Sequence, residues 1–409
     1  MNGVKHLGSI NLQLIRELSN TTPSKIVLLV IDGMGGLPDI SNGKTELETA
    51  CIPNMDALVA KSICGLSDPV SPGITAGSAP GHLALFGYDP ITYHIGRGAL
   101  EAMGIDYLLQ PGDIAARGNF CTIDKKGLII DRRAGRISTE QSSELCDLLN
   151  NMNIDGVSVY ALPVKDHRMA LVIRGDNLNH DITDSDPQQT GVIPLKVKAK
   201  SPKAERTATI INKFLEIARD ILAPHNPANM LLLRGFDEKP SFPTVSEIFK
   251  LKPAAIASYP MYRGLARAVG MEVLETGPAI EDEISTLKKS YDSYDFFFIH
   301  IKETDARGED GNFDAKVKAL EHVDRILPEI TGLNPDVIIV AGDHSTPAMI
   351  KGHSWHSVPV LIYSKWCRPD NVKQFTESAC IYGGLGRISA TDIMPLAMAN
   401  ALKLNKYGA

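Results

Sequence analysis

The chain has 409 residues, of which 44% are hydrophobic and 22% are charged, as in ordinary soluble globular proteins. This length suits two domains, or one domain with a large insertion, better than a single compact core. The formal net charge of -6 gives the chain no overall basic field, so we expect neither a nucleic acid nor an anionic membrane surface as a partner.

The N-terminal segment, which begins MNGVKHLGSINLQLIREL, precedes the first strand-like run. It contains no long apolar stretch of the signal-peptide type, so we predict a short extra helix there. The six cysteines stand at scattered positions without CxxC pairs, which argues against a zinc ribbon and against a disulfide framework. We therefore expect reduced, mostly buried thiols in a cytoplasmic protein.

Strand-length apolar runs recur along the chain, beginning with residues 25–31, which read KIVLLVI and end at Asp32. Such continuous runs are typical of parallel strands buried on both faces, and they are too short to span a membrane. Amphipathic helical segments lie between several of them, an alternation that predicts a doubly wound, mostly parallel α/β sheet. The further runs are residues 230–233, 255–257, 296–301, 337–341 and 358–363, and the helical segments are residues 204–222, 261–269, 314–330 and 391–402.

Residues 111–240 have a different character, with shorter alternating strands at 158–160 and 169–173, several turn sequences and clustered arginines. We interpret them as an inserted, smaller α+β domain that binds substrate. Residues 1–110 and 241–409 then form a discontinuous core domain around the parallel sheet. In such sheets ligand sites lie at the carboxyl ends of the strands, so acidic residues at strand ends are the first candidates for a site.

The sharpest candidate is the run GDHSTPAMIKGHSW, in which Asp343 and His344 follow a predicted strand and His353 comes shortly afterwards. A carboxylate and an imidazole at one strand end suit a hard or borderline divalent ion. An alternative interpretation is that Asp343 caps a helix and the histidines are loop residues. The preceding strand and glycine, together with two further acidic strand ends, favour a metal site.

A glycine-rich turn, GMGG, follows Asp32 at the end of the first predicted strand. Glycines allow the backbone to turn sharply, which leaves the Asp32 carboxylate exposed at the top of the sheet. The spacing of these glycines is not GxGxxG, and the chain contains no GxxxxGK[ST] loop, so nucleotide binding is disfavoured.

The run TAGSAPGH places Ser78 at a glycine-flanked turn before a predicted helix. A hydroxyl in this position can act as a nucleophile, and the helix N-terminus would stabilise a phosphate attached to it. Alternatively, Ser78 caps the helix. The run is not the GxSxG elbow of hydrolases, and a metal ion is a better activator than a triad built with His82, because it favours the alkoxide without a paired base.

The run DARGEDG offers Asp305 and Glu309 as ligands of a second ion, although acidic loops of this kind are often solvated turns. The run DITDSDP lacks the EF-hand glycine, so we interpret it as a turn in which Asp184 and Asp186 make weaker polar contacts. Arginines of the insertion are candidates for holding a phosphate or a carboxylate bidentately. They are Arg117, Arg132, Arg133, Arg136, Arg168 and Arg234.

Together these residues resemble the alkaline phosphatase superfamily and, more closely, the archaeal-type phosphoglycerate mutases that are independent of 2,3-bisphosphoglycerate. The resemblance covers nearly the whole chain from Lys25 onward. It rests on the long motifs VLLVIDGMGGLP, KTELETACIPNMDALV, SPGITAGSAPGHLALFGYDP, GRGALEAMGID, DRRAGRI, LPVKDHR, ITDSDPQ, YRGLARAVGM and AGDHSTP. It implies an alkaline-phosphatase-like core that holds two divalent ions, with an inserted substrate domain.

The resemblance also implies roles for individual residues. The positions that match the ligands of one ion, with the serine transiently phosphorylated, are Asp32, Ser78, Asp343 and His344. The positions that match the ligands of the other ion are Asp305, Glu309 and His353. The region that holds phosphoglycerate is matched by the arginines of the insertion with Lys165, Asp166 and His167, and Arg263 falls where the family has a basic residue near the phosphate.

One departure from the family pattern concerns Glu309, where the family has histidine. Glutamate keeps a hard oxygen ligand and adds negative charge, which favours Mn²⁺ or Mg²⁺ over Zn²⁺, with Co²⁺ as a further alternative. The same change leaves open a weakened second site or a different substrate. His356, near His353, is not a family ligand and is interpreted as a loop residue beside Trp355.

The implied reaction interconverts 3-phosphoglycerate and 2-phosphoglycerate through a phosphoserine at Ser78, with Asp166 as a candidate general acid/base. Closure of the insertion over the core would exclude water and prevent hydrolysis of the phosphoserine. Two alternatives remain at this point. One is a metal-dependent phosphomonoesterase of the same superfamily that acts on another small phosphorylated substrate, and the other is a non-catalytic relative that uses the insertion for binding. The sequence does not indicate an oligomeric state.

Overall fold

The computed structural model describes residues 11–408, and within them the chain forms two compact units. The first, called here the core unit, consists of residues 11–94, Phe242–Tyr259 and 269–408. The second, called the inserted unit, consists of Ile95–Ser241 and Pro260–Ala268. The inserted unit therefore begins earlier than position 111 and includes one helix from the later part of the chain.

The strands within the described residues are numbered in chain order. They are β1 (Ile26–Ile31), β2 (Ile63–Asp68), β3 (Ile114–Ile123), β4 (Ile129–Asp131), β5 (Met152–Ile154), β6 (Val157–Lys165), β7 (Arg168–Arg174), β8 (Met230–Glu238), β9 (Pro253–Ile256), β10 (Glu272–Leu274), β11 (Phe296–Ile301), β12 (Val337–Ala341), β13 (Val358–Ser364) and β14 (Gly386–Ser389).

The α-helices of the same residues are numbered in the same way. They are α1 (Leu12–Leu18), α2 (Glu46–Thr49), α3 (Pro53–Val59), α4 (Ser78–Leu85), α5 (Arg97–Gly104), α6 (Thr139–Leu149), α7 (Glu205–Leu222), α8 (Val245–Phe249), α9 (Pro260–Ala268), α10 (Ile280–Ser290), α11 (Glu303–Glu309), α12 (Phe313–Thr331), α13 (Glu377–Cys380) and α14 (Ile393–Asn400). Single turns of 3-10 helix lie at Ala134–Arg136, Pro202–Ala204, Tyr291–Ser293 and Ala390–Asp392.

The core unit is built on an eight-stranded sheet with the strand order β10-β9-β11-β1-β12-β13-β2-β14. The pairs from β10 to β12 are parallel, whereas β13 is antiparallel to both of its neighbours. All six residues of β1 are buried, which explains the continuous apolar sequence of this central strand. The mostly parallel sheet predicted from the sequence is therefore confirmed.

The inserted unit contains an antiparallel sheet with the order β4-β3-β7-β6-β5, in which β8 also pairs with β3. Helix α7 contributes Ile211 and Phe214 to its apolar core. The run at residues 230–233, which resembles the parallel strands in sequence, lies in β8 and pairs antiparallel with β3. The comparison with parallel strands was wrong for this run, because an apolar run reports burial but not the direction of the neighbouring strand.

The predicted N-terminal helix is present as α1, where the side-chain oxygen of Asn11 accepts a hydrogen bond from the Leu14 N–H at 3.0 Å. The part of that prediction that concerns residues 1–10 lies outside the described residues. The segment after α1 is joined to the C-terminal segment. The Asn20 N–H donates to the Lys403 carbonyl at 2.9 Å, and the buried Lys403 Nζ donates to the Thr22 carbonyl at 2.7 Å.

All six cysteines are free, and four of them are buried, as expected from their scattered positions. Cys51 is exposed and Cys367 is half-buried. Among the helices of residues 11–408, none is long and apolar enough to cross a membrane.

Candidate metal centre

The acidic residues singled out in the sequence lie at one edge of the core sheet. Asp32 directly follows β1, Asp343 follows β12, and Asp305 follows β11 in the first turn of α11. Because β11, β1 and β12 are parallel neighbours, their carboxyl ends meet at the same edge. All three carboxylates are buried, with at most 1% of each residue exposed.

Four oxygen and nitrogen donors form the first cluster, which we define as Asp32, Ser78, Asp343 and His344. The Nε2 atom of His344 lies 3.1 Å from Ser78 Oγ, 3.2 Å from Asp343 Oδ2 and 3.4 Å from Asp32 Oδ1. The ligand atoms of the two carboxylates and of His344 all lie within 4.8 Å of one another. Carboxylates and an imidazole in this arrangement have the donor chemistry of a divalent-cation site.

Local structure favours a functional role for Ser78 over the alternative of a helix cap. Ser78 is the first residue of α4, and the cap position is taken by Gly77, which makes no side-chain cap hydrogen bond. The Ser78 hydroxyl is therefore available to the first cluster at the N-terminus of an eight-residue helix. Asp343 does not cap a helix either, since its Oδ1 accepts a hydrogen bond from the Gly33 N–H at 3.1 Å.

The turn after β1 needs glycine at position 33. Gly33 has a φ of +64°, and a Cβ at this position would lie 2.6 Å from Thr346 Oγ1 and 2.8 Å from Asp305 Cβ. Any larger residue would push the turn after Asp32 away from Asp305 in α11 and from Thr346 in the loop after β12. The glycines of the GMGG run therefore permit close approach of backbone segments.

Three basic side chains contact the carboxylates of the centre. His300 Nε2 lies 2.9 Å and Lys302 Nζ lies 3.2 Å from Asp32 Oδ2, and Lys302 also pairs with Asp305. His82 Nδ1 lies 3.1 Å from Asp343 Oδ2 and 2.8 Å from the Ser78 carbonyl oxygen. His82 thus links the backbone at Ser78 to a carboxylate of the first cluster.

These contacts favour the ionised forms of Asp32 and Asp343. Burial alone would raise the pKa of Asp32, but the Lys302 ammonium and the His300 hydrogen bond hold it well below its ordinary value. Burial and the neighbouring Asp32 would likewise raise the pKa of Asp343, yet the imidazoles of His344 and His82 lower it. Burial lowers the pKa of His344 and brings that of His300 to about 4. An ionised carboxylate and a neutral imidazole are the forms that bind a metal ion.

A second cluster consists of Asp305, His344 and His353, whose ligand atoms also lie within 4.8 Å of one another. His353 Nε2 lies 3.6 Å from Asp305 Oδ1, and its ring stacks on that of His344 with the centroids 3.6 Å apart. Glu309 Oε1 lies 3.9 Å from His353 Nε2, and 56% of the Glu309 side chain is exposed. Glu309 is therefore at the solvent side of this cluster, and its role as a ligand stays a prediction.

The inserted unit concentrates positive charge on its sheet. Arg117 in β3 is directly opposite Arg234 in β8, and Arg168 in β7 is opposite Asn119 of β3. Burial, together with the charges of Arg168 and Arg234, lowers the pKa of Arg117 to about 10. Burial and the neighbouring arginines also lower the pKa of His167 to about 4. We call Arg117, His167, Arg168 and Arg234 the basic cluster.

Two arginines of the basic cluster lie near acidic side chains. Arg117 Nη1 lies 3.5 Å from Glu101 Oε1, and Arg234 Nε lies 3.9 Å from Asp186 Oδ2. Two arginines directly opposite each other on neighbouring strands repel each other unless an anion lies between them. The basic cluster therefore has the charge and geometry to bind an anionic group.

The other residues predicted to bind substrate occupy different surroundings. Arg132 is held by Asp186 through hydrogen bonds of 3.2 and 2.7 Å, and Arg263 of α9 donates to Asp106 at 3.2 Å. The Asp166 N–H donates to Thr139 Oγ1 at 3.0 Å, and Asp166 has a φ of +52° in the turn between β6 and β7. The exposed residues of the predicted set are Arg133, Arg136 and Lys165.

The sequence interpretation missed three residues that the structure places at these sites. Lys302 bridges Asp32 and Asp305, and its position directly after the predicted strand at residues 296–301 is the signal that could have identified it. Thr346 contacts Asp305 and His344, and it lies within the AGDHSTP motif. Arg97, within the GRGALEAMGID motif, adds its charge to those of Arg117 and Arg234.

Comparison with known proteins identifies the family. A model described as 2,3-bisphosphoglycerate-independent phosphoglycerate mutase matches residues 60–229. A probable enzyme of that name from Thermus thermophilus is 50% identical over 400 residues, which cover 97% of this chain and 98% of that protein. Another from Aquifex aeolicus is 50% identical over 408 residues, covering 97% and 100% of the two chains.

Solved structures agree with these relatives. A protein from Pyrococcus horikoshii matches with a TM-score of 0.82 and 31% identity over 94% of this chain and 99% of that one. A cofactor-independent phosphoglycerate mutase from Thermoplasma acidophilum matches with a TM-score of 0.69 and 32% identity over 92% and 100%. Relatives of this identity and coverage leave no ambiguity about the family. The chain belongs to the 2,3-bisphosphoglycerate-independent phosphoglycerate mutase family.

Proposed function

We propose that this chain is an isomerase that interconverts 3-phosphoglycerate and 2-phosphoglycerate without bisphosphoglycerate, in glycolysis and gluconeogenesis. One observation carries the proposal: Ser78 Oγ, at the start of α4, lies 3.1 Å from His344 Nε2 within a cluster of buried, ionised carboxylates. A serine hydroxyl among metal-binding side chains and at a helix N-terminus is suited to accept a phosphoryl group.

The first step of the proposed reaction takes place at Ser78. Its hydroxyl oxygen attacks the phosphorus of the substrate, the bond from phosphorus to the glycerate oxygen breaks, and the proton of the serine hydroxyl ends on that glycerate oxygen. The N–H groups in the first turn of α4 stabilise the negative charge of the resulting phosphoserine. His82, which contacts both the Ser78 carbonyl oxygen and Asp343, holds this turn beside the first cluster.

We propose that the two clusters hold two divalent ions, Mn²⁺ or Mg²⁺ in preference to Zn²⁺ or Co²⁺. Asp32, Ser78, Asp343 and His344 would hold one ion, and Asp305, His353 and Glu309 the other. The carboxylate-rich donor set and Glu309 support the preference for hard ions. When bound, such ions supply positive charge beside the transferring phosphoryl group and favour the ionised form of the Ser78 hydroxyl.

In this proposal the basic cluster binds the anionic substrate, whereas the two clusters of the core unit bind the metal ions. Arg117, Arg168 and Arg234 bind the carboxylate and hydroxyl oxygens of phosphoglycerate, with Arg132, Arg133, Arg136, Lys165, His167 and Arg263 as further contacts. While the glycerate remains bound, its other hydroxyl takes back the phosphoryl group from Ser78, and Asp166 acts as general acid/base. Exclusion of water during this interval separates a mutase from a phosphatase.

The test is a coupled assay. The protein receives 3-phosphoglycerate and no bisphosphoglycerate, and enolase reports 2-phosphoglycerate with Mn²⁺, Mg²⁺, Zn²⁺ or Co²⁺ added in turn. We expect 2-phosphoglycerate without a stoichiometric release of inorganic phosphate. Free phosphate without 2-phosphoglycerate would instead identify a phosphomonoesterase of the same fold, and no turnover of either kind would identify a binding protein.

A further inference from the structure

Thr346 connects the two clusters of the core unit. This buried residue lies in the loop after β12, two positions beyond His344. Its Oγ1 donates a hydrogen bond to Asp305 Oδ1 at 2.6 Å and lies 2.9 Å from His344 Nδ1. One hydroxyl therefore contacts a carboxylate that only the second cluster contains and an imidazole that both clusters contain.

The direction of these hydrogen bonds determines which nitrogen of His344 can bind an ion. A threonine hydroxyl has a single hydrogen, and here it points to the Asp305 carboxylate, which is an acceptor only. Toward His344 the hydroxyl must therefore accept, so Nδ1 of His344 carries the hydrogen. The lone pair of the neutral imidazole is then on Nε2, the atom that faces Ser78, Asp32 and Asp343.

Lys316 of α12 holds Thr346 in this position. Its Nζ donates to the Thr346 carbonyl and to the Gly35 carbonyl, each at 2.9 Å, and the residue is completely buried. The Gly35 carbonyl also accepts a hydrogen bond from the Thr346 N–H at 3.0 Å. The loop after β1, which begins at Asp32, is thus joined to the loop after β12 by the Lys316 ammonium group and by a backbone hydrogen bond.

Neighbouring groups leave this arrangement little freedom. Glu46 Oε1 lies 3.8 Å from Lys316 Nζ and accepts a hydrogen bond from the Ala348 N–H at 2.7 Å, which fixes the far end of the same loop. On the other side, α11 approaches so closely that a Cβ at Gly308 would overlap the Thr346 carbonyl oxygen. The helix that carries Asp305 therefore packs directly against Thr346.

We propose that Thr346 and Lys316 are positioning residues that fix the Nε2 lone pair of His344 and the Asp305 carboxylate for ion binding, and so couple the two clusters. The inference relies on the proposed function only in that the clusters hold divalent ions. Residues that orient metal ligands through hydrogen bonds typically change metal affinity by about 10- to 100-fold when they are replaced. We expect effects of that size here.

The experiment measures ion binding in the full chain by titration calorimetry with Mn²⁺, together with the visible absorption spectrum after loading with Co²⁺. Thr346→Val keeps the shape of the side chain but removes the hydroxyl, whereas Thr346→Ser restores it. Lys316→Met keeps most of the length of the side chain but removes the donor. Lys403→Met is the matched control, because Lys403 is also fully buried in the core unit and donates to a backbone carbonyl, but at the chain termini.

We expect Thr346→Val and Lys316→Met to bind Mn²⁺ at least about 10-fold more weakly than the wild type and to change the Co²⁺ spectrum. Thr346→Ser should restore both, and Lys403→Met should retain both even if its melting temperature falls. Wild-type affinity and spectrum in Thr346→Val and Lys316→Met would overturn the proposal, as would a wild-type chain that binds no divalent ion. If Lys316→Met does not fold, the comparison of Thr346→Val with Thr346→Ser decides alone.

These readouts are independent of turnover. In one possible result, the wild type binds two ions but fails to convert 3-phosphoglycerate, and the variants bind the ions more weakly as described. This result would contradict the proposed function and leave the positioning role intact. If the wild type converts 3-phosphoglycerate but Thr346→Val and Lys316→Met bind Mn²⁺ as tightly as the wild type, the positioning role would be contradicted and the proposed function would stand.

Discussion

The core unit and the inserted unit concentrate opposite charges by different structural means. In the core unit, three buried carboxylates meet because they follow parallel strands whose carboxyl ends lie at one edge of the sheet. In the inserted unit, Arg117 and Arg234 meet because they are directly opposite each other on antiparallel strands. Each arrangement brings like charges together in surroundings of low polarity, where their repulsion is large.

This comparison indicates what each unit lacks. The carboxylates of the core unit have Lys302, His300 and His82 as basic partners but still present converging oxygen donors, which suits cations. In the inserted unit, Arg117 and Arg234 have Glu101 and Asp186 as acidic partners at 3.5 and 3.9 Å, which leaves capacity for an anion. Divalent ions supply the cations for the core unit, and a phosphorylated carboxylic acid supplies the anion for the inserted unit. The two units should therefore respond differently to substitution.

Ser78→Ala should have the largest effect. Without the hydroxyl the core unit has no acceptor for the phosphoryl group, so kcat in the enolase-coupled assay should fall by roughly 10⁴-fold or more. Ser62→Ala is the control, because Ser62 is a buried serine of the core unit whose hydroxyl donates to the Leu58 carbonyl. Activity retained in Ser78→Ala would show that another residue is the nucleophile.

Asp343→Asn tests the first cluster of the core unit. It should lower kcat by about 10³-fold, because the loss of one charged ligand removes several kcal/mol of charge stabilisation. Calorimetry should show that one Mn²⁺ is lost. Asp324→Asn provides the comparison: this carboxylate is also buried in the core unit, but it accepts from the Met55 N–H at 2.7 Å. Equal Mn²⁺ binding in Asp343→Asn and the wild type would remove Asp343 from the ligand set.

Arg117→Met tests the basic cluster of the inserted unit. It should reduce kcat/KM by about 10²-fold, mainly by raising KM, while Mn²⁺ binding stays unchanged. Arg174→Met is matched to it, since Arg174 lies on the same sheet and pairs with Asp113 through hydrogen bonds of 2.7 and 2.6 Å. If Arg117→Met weakened Mn²⁺ binding instead of substrate binding, the separation of roles between the units would be wrong.

Glu309→His should have the smallest effect, within about fivefold of the wild-type kcat, because 56% of the Glu309 side chain is exposed and its contact with His353 is 3.9 Å long. The change replaces an oxygen donor by a nitrogen donor, so the order of activity with Mn²⁺, Mg²⁺, Zn²⁺ and Co²⁺ should shift toward Zn²⁺ or Co²⁺. An unchanged metal preference would place Glu309 outside the site.

Much of the core unit could be predicted because parallel strands buried on both faces have continuous apolar sequences. The run ending at Asp32 and the strand before Asp343 were located in this way, and the edge of the sheet where their side chains meet followed from the general geometry of parallel sheets. The motifs then indicated Ser78, which is far away in sequence. These predictions needed only local patterns and one rule of topology.

What escaped prediction depends on contacts between distant segments. The run in β8 looked like a parallel strand, since burial does not reveal the direction of a neighbour. Lys316 lies in an amphipathic helix, where a lysine is normally exposed, and only the folded structure shows it buried against Gly35 and Thr346. The contact of Lys302 with Asp32 depends on the pairing of β11 with β1.

The most direct test of the central claim is to detect the phosphoryl group on Ser78. The wild-type protein is mixed with 3-phosphoglycerate and Mn²⁺, quenched in acid within a single turnover, digested and examined by mass spectrometry. The account predicts phosphate on the peptide that contains Ser78, only when substrate is present and not in Ser78→Ala. Turnover of 3-phosphoglycerate with phosphate on a different residue, or on none, would contradict it.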